Sequence, residues 1–299
     1  MIKFFFTNNL TLLFILSAIW GSAFIAIKIS VESVNPISIA SLRLIIASLF
    51  LLSIFFYKKY IFDLNFRTII FIILIGIIGN IIPFFLINWS EQFIQSNTAA
   101  LLLSIAPIFT LLLSPLLTKD DNFTLLKLVS IIIGLLGVFF IIGFDTLNNF
   151  RDTESHLIPK FSIIVAAMGY VISSILAYNL KNINTVILTT FVITAAAIIS
   201  IPFMLYAESI HPSSFNNTSL FTIIYLGLFP TAIAFHLRFY IISKAGPIFL
   251  SYVAYLIPAF AIIWGYIFLK EKITFSIGIG VILILLGVFI SQKKSKNLV

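Results

Sequence analysis

The feature that most constrains this chain is its uninterrupted apolar runs. Each is about twenty residues long, and they are separated by short breaks rich in charged or turn-forming residues. Cutting at those breaks gives ten segments, near 10–30, 36–57, 68–90, 97–118, 124–143, 160–180, 185–206, 219–242, 247–268 and 273–291. Twenty residues of helix match the hydrocarbon thickness of a bilayer. In that medium each backbone N–H and C=O must be bonded inside its own segment or a closed barrel, and continuous apolar runs exclude a barrel's two-residue alternation. A soluble monomer is excluded as well. Of 299 residues 61% are apolar and only 9% charged, too few to cover a solvated surface. The reading is an all-α integral membrane protein with ten transmembrane helices. The first apolar run lacks a small-residue cleavage site and continues into a full span, so it is expected to remain as the first helix.

The net charge of +8 reads as a topology code. With the N-terminus in the cytoplasm, eleven Lys/Arg fall in inside segments (among them Lys58, Lys59, Arg67, Lys181 and Lys244) and four outside (Arg151, Lys160, Lys270 and Lys272). Both termini are then cytoplasmic in a cell inner membrane, and the tail lysines Lys293, Lys294 and Lys296 suit anionic lipid. There is no cysteine, hence no thiolate metal site, and no H-E-x-x-H, P-loop or G-x-G-x-x-G in a strand–helix setting. Neither an enzyme, nor a metal or other cofactor, nor a nucleic-acid partner is expected. Oligomeric state is not readable.

The second half of the chain resembles the first. At a constant offset of 151 residues, Gly76-Ile77-Ile78-Gly79-Asn80 falls on Gly227-Leu228-Phe229-Pro230-Thr231, Pro107 on Pro258, and Lys119-Asp120 on Lys270-Glu271. One residue is then lost, and Leu135-Leu136-Gly137-Val138-Phe139 matches Leu285-Leu286-Gly287-Val288-Phe289 identically. Five spans per half is an odd number, so the second half lies inverted relative to the first. Residues 1–143 form the first repeat, 144–159 an extracytoplasmic connection, and 160–299 the second repeat with its basic tail. Inverted repeats of this kind place a substrate site at their interface near mid-membrane.

Several stretches carry a further resemblance. Ala18-Ile19-Trp20-Gly21-Ser22-Ala23-Phe24, Ser41-Leu42-Arg43-Leu44-Ile45-Ile46-Ala47, Ala99 through Thr110 and Leu269-Lys270-Glu271-Lys272 occur in the order and spacing of the EamA-type group of the drug/metabolite transporter superfamily. Lys270 stands where that group's turn carries Gly, and the first-half turn Thr118-Lys119-Asp120-Asp121 departs further. The resemblance implies ten helices in two inverted repeats around a central cavity, and transport, commonly export, of a small metabolite such as an amino acid. A lipid-head-group or sugar-conjugate flippase is the nearest alternative, with a membrane-embedded enzyme or a receptor further off.

The polar minority inside the spans supplies the candidate site. Asn80, Phe84 and Asn88 recur at i, i+4 and i+8 on one helical face, where the carboxamides bond either a polar substrate or a neighbouring helix. Mid-span Pro107 and Pro258 each free a carbonyl and are placed to flank one cavity. Trp20, Tyr170 and Tyr255 are amphipathic rings suited to an organic substrate, and Ser104 is the repeat partner of Tyr255. Arg43, Glu91 and His236 are the charge or coupling candidates, with protons as the open coupling partner. Glu91 is expected to be solvated at the outer end of its helix, and Arg238 to snorkel to the cytoplasmic surface.

Overall fold

The computed structural model describes residues 8–118, 124–142, 157–269 and 275–291, and among these there is helix and turn but no strand. Helices α1 (Asn9–Ser30) and α2 (Pro36–Tyr57) are followed by α3 (Phe66–Gly76), which passes through a π-helical stretch at Ile77–Ile81 into α4 (Ile82–Ser90). Next come α5 (Ser96–Leu103), α6 (Ala106–Leu117) and α7 (Leu125–Ile142). The second half runs through α8 (Leu157–Tyr178) and α9 (Thr185–Ile210). Then α10 (Asn217–Leu226) passes through a second π-helical stretch, Gly227–Ile233, into α11 (Ala234–Ser251), before α12 (Val253–Leu269) and α13 (Phe275–Ser291). Six continuous helical stretches are long and apolar enough to cross a membrane, and shorter apolar helices lie at Ala106–Leu117, Leu125–Phe140 and Gly278–Ile290. The chain is a helical membrane protein. The paired turns Lys119-Asp120 and Lys270-Glu271, most of the 144–159 connection and the tail lysines lie outside the described residues.

Asparagine opens the helices. Asn8, Asn35, Asn65, Asn184 and Asn216 each accept a hydrogen bond from the first turn that follows, satisfying an otherwise orphan N–H. Pro36 sits at the first position of α2, where a missing N–H costs nothing. Gly246 has φ 83°, a left-handed conformation that bends α11, so the eighth apolar segment ends there and Pro247 starts the ninth. The fourth segment breaks at Ser104-Ile105 and the ninth at Tyr252, so neither is one continuous helix.

Close approach of backbones holds the bundle, as expected where lipid leaves no hydrophobic drive between helices. The identical pentamers lie on α7 and α13 and pack on each other. A Cβ at Gly137 would stand 2.6 Å from the Gly280 carbonyl oxygen, and one at Gly287 2.7 Å from that of Ser130. Helix α2 lies along α9, α1 along α12, and α8 along α4.

The two π-helical stretches are built alike. Asn80 Nδ2 donates to the Ile75 carbonyl, and Thr231 Oγ1 donates to that of Leu226, each reaching five residues back. Pro230 has no N–H to offer Leu226, and the π-helical register and the Thr231 hydroxyl both bring donors from Thr231 to that carbonyl. The extra residue also shifts the helical phase, which is why Asn80 leaves the face that carries Phe84. The prediction of one stripe through Asn80, Phe84 and Asn88 is corrected to this extent.

Candidate functional site

A cleft opens in the middle of the bundle, lined from α1, α2, α4, α5, α6, α8, α11 and α12. It holds about 850 Å³ of space between atoms, its mouth included, so it is a cleft and not a sealed packing defect. Much of the lining is apolar, with Ala23, Phe24, Ile27, Ile87, Leu250 and Ile257. Trp20, Arg43, Phe84, Tyr170, Ser174 and Arg238 supply its aromatic and charged part.

The aromatic groups form a connected frame. The Trp20 ring stacks near Tyr170 at 6.5 Å and 23°, and meets Phe235 edge-on at 5.8 Å. Phe84 meets Phe235 edge-on at 5.7 Å. Trp20 Nε1 donates to the Pro230 carbonyl at 3.0 Å, which ties α1 to the second π-helical stretch.

Two buried guanidinium groups sit in this frame. Arg43 is 3% exposed, its Nε donates to Thr231 Oγ1 at 2.9 Å, and its guanidinium carbon lies 3.8 Å above the centre of the Phe84 ring. Thr231 can accept there because its single hydrogen is already committed to Leu226. The sequence thus holds Arg43 through a short relay: Pro230 frees the carbonyl, Thr231 takes it, and Thr231 then orients Arg43. Arg238 is 1% exposed, and its Nη2 donates to the Tyr170 carbonyl at 3.1 Å, Ser173 Oγ at 2.5 Å and Ser174 Oγ at 2.9 Å. Its Nη1 is buried with no hydrogen-bond partner. The Tyr170 phenol lies within electrostatic reach of both cations. Among the described residues no carboxylate pairs with either one.

The predicted site residues divide. Trp20, Phe84, Tyr170 and Arg43 come together in the cleft. Asn80, Asn88, Ser104, Pro107, Tyr255 and Pro258 do not line it. Asn88 sits one turn from Phe84 and donates to the Pro36 carbonyl, while the Oδ1 atoms of both Asn80 and Asn88 are buried without a partner. Pro107 stands just past the break at Ser104-Ile105, at the start of α6, where it needs no donor. Pro258 frees the carbonyl of Ala254, and Ser104 Oγ donates to it at 3.0 Å. Tyr255 is fully buried against Gly134, and its hydroxyl donates to Ile131. These residues join helices, so the expectation that Pro107 and Pro258 flank the cavity is corrected.

Two charge assignments also change. Arg238 does not snorkel, because the helical phase set by the second π-helical stretch turns it inward onto α8. Glu91, just past the end of α4, is buried rather than solvated: Oε2 accepts from Ser96 Oγ at 2.8 Å, Oε1 has no partner, and its carbonyl accepts from Lys28 Nζ at 2.7 Å. Burial pushes its carboxyl up to about 8. His236 lies outside the cleft, beside Thr185 and Lys58. Sequence reasoning passed over Arg238 because it counted distance from the helix end. The available signal was an arginine four to eight residues past an in-span proline.

Comparison with known proteins places the chain among transport proteins. A family model described as the EamA-like transporter family matches twice, at residues 8–143 and 158–292. An uncharacterized transporter of Archaeoglobus fulgidus is 30% identical over 276 residues, 92% of this chain and 95% of its own length. The uncharacterized transporter YoaV of Bacillus subtilis is 22% identical over 91% of this chain and 92% of its own. A protein of Chlamydia muridarum named as an S-adenosylmethionine/S-adenosylhomocysteine transporter is 23% identical, covering 87% and 84%. A solved crystal structure superposes with a TM-score of 0.78 over 95% of this chain and 96% of its own, at 17% identity, which establishes likeness of fold.

Proposed function

We propose that this chain, which belongs to the EamA-like transporter family, is a secondary transporter that exports a small metabolite through the central cleft by alternating access. Its family is one of transporters and not of enzymes. In this reading ten helices form two inverted five-helix repeats, residues 1–143 and 160–299, joined outside the cell, with both termini in the cytoplasm. The double family match, the two π-helical stretches at matching positions, and the packing of the identical pentamers on α7 and α13 support the repeat.

The observation that carries the proposal is that both halves contribute to one polar wall. Arg43, Trp20 and Phe84 come from the first, and Tyr170, Ser174 and Arg238 from the second. A rocking motion of one half against the other would open and close this wall to either side. Amino acids and related compounds are the substrate class to test first.

The chain has no cysteine, so a single thiol reports access cleanly. Half-buried Ala106 lines the cleft on α6. In Ala106→Cys, a membrane-impermeant sulfonatoethyl methanethiosulfonate should label from outside in right-side-out vesicles and from inside in inverted vesicles. Labelling from one side only, or from neither, refutes alternating access at this cleft.

A further inference from the structure

We propose that the substrate is a net-negative organic oxyanion with a flat apolar body, whose charged end bridges Arg43 and Arg238. This rests on the transport reading above and narrows its substrate class, against the zwitterionic amino acids named first.

The argument begins with a cost. A buried cation without a counter-charge is expensive in any low-dielectric site and more so within a membrane, where such groups pair or serve function. Here two occur in one cleft. Each is held by neutral groups that fix its direction and cancel none of its charge: Thr231 for Arg43, and Ser173, Ser174 and the Tyr170 carbonyl for Arg238. The holding bonds also leave other guanidinium donors unused. Arg43 is bonded through Nε alone, so its two terminal nitrogens make no bond to any described residue. Arg238 is bonded through Nη2, and Nη1 is buried and unpartnered. Guanidinium forks present paired donors that suit carboxylate or phosphate oxygens.

The remaining surfaces decide the rest of the molecule. Trp20 and Tyr170 offer ring surface, and much of the remaining lining is aliphatic. A planar or apolar body fits between them. The rings might be thought to hold an ammonium group. The Phe84 face, however, is already covered by Arg43 at 3.8 Å, and Tyr170 and Phe235 lie 5.7 and 5.0 Å from Arg238. The faces of Phe84, Tyr170 and Phe235 are therefore engaged by the protein's own cations, and a zwitterion's ammonium would be placed among positive charges.

The test uses one aromatic body with four charge states: phenylpyruvate, benzyl phosphate, phenylalanine and phenethylamine. Each is titrated against the purified full chain in detergent, with the unfolding midpoint as readout. Phenylpyruvate or benzyl phosphate should half-saturate the stabilisation at a concentration at least about tenfold lower than phenylalanine, with phenethylamine inert; a charge-assisted hydrogen bond carries roughly this factor or more. Which of the two anions binds tighter tells carboxylate from phosphate. Arg43→Gln and Arg238→Gln should each weaken the anion by about tenfold or more. Arg238→Lys, which keeps charge but loses the fork, should fall between and covers the case in which Arg238→Gln does not fold. Equal stabilisation by phenylalanine, no stabilisation ordered by charge, or full anion binding in both Gln variants overturns the inference. Since access at Ala106→Cys is measured without any substrate, either reading can fail while the other stands.

Discussion

Gly79→Ala tests whether a residue outside the cleft governs it. Gly79 lies in the first π-helical stretch, and a Cβ there would stand 2.4 Å from both Cβ and Oγ of Ser173 on α8. Ordinary carbon contacts begin near ~3.6 Å, so the two segments must separate by roughly 1.2 Å. Overpacking of this kind costs about 1–3 kcal/mol, and replacing glycine in a helix returns up to about 1 kcal/mol. The expected net loss is about 1–2 kcal/mol, a fall in unfolding midpoint of roughly 2–5 °C. The separation also draws Ser173 Oγ away from Arg238 Nη2, which it accepts from at 2.5 Å. Arg238 loses one of the three acceptors that position it, which should weaken phenylpyruvate by up to roughly tenfold. Adding Ser173→Gly removes both clashing atoms but not the need for an acceptor. The double variant should therefore recover its midpoint and not its affinity. An unchanged midpoint and unchanged affinity in Gly79→Ala would refute both the close approach and the positioning role of Ser173.

Three other outcomes follow from named contacts. Ser104→Ala should lower the unfolding midpoint by the equivalent of about 1–2 kcal/mol, because it strands the Ala254 carbonyl that Pro258 frees, and Pro258→Ala in the same chain should restore most of it. Gly137→Ala should destabilise by about 1–3 kcal/mol at the α7–α13 contact while Gly278→Ala, which meets open space, does not, both read by thermal unfolding. Glu91 holds its proton more tightly folded, near 8, than its ordinary 4.5, so wild-type stability should fall as pH rises from about 4.5 to about 8; Glu91→Gln should flatten that slope, and an equal slope in both proteins counts against burial of this carboxyl.

The helices, the family and part of the site were legible in the sequence because each leaves a local mark. Apolar runs of bilayer length, asparagine caps and the Trp20 and Arg43 motifs can be read without knowing what packs against what. Phe84 and Tyr170 were legible as aromatic groups within spans. The misplacements share one cause. A single inserted residue in each π-helical stretch rotates everything beyond it, and neither Asn80 nor Arg238 carries a sign of that rotation. Ser104, Pro258 and Tyr255 instead repair a proline-freed carbonyl and join α12 to α5 and α7, which depends on neighbours from the other half of the chain. Glu91 was misread because Ser96 and the helix bearing Lys28 displace its solvent.

Under the proposed repeat, the two halves agree in their scaffold and differ in their charges. Asn80 and Thr231 stand 151 residues apart and perform the same repair five residues back. The position equivalent to Arg238 is Ile87, which lines the cleft as an alkyl group. A fully symmetric cleft would carry four cations or none. Four buried cations would multiply the desolvation cost and repel one another, and none would leave nothing to hold an anion. One arginine per half, at non-equivalent positions, places both charges on one connected aromatic cluster and leaves much of the remaining lining apolar. That arrangement orients a molecule with a charged end and a greasy end the same way in whichever state of the transporter it enters. A substrate bearing charge at both ends should therefore be carried less well than one bearing it at one, which is the ordering the four-member aromatic series measures.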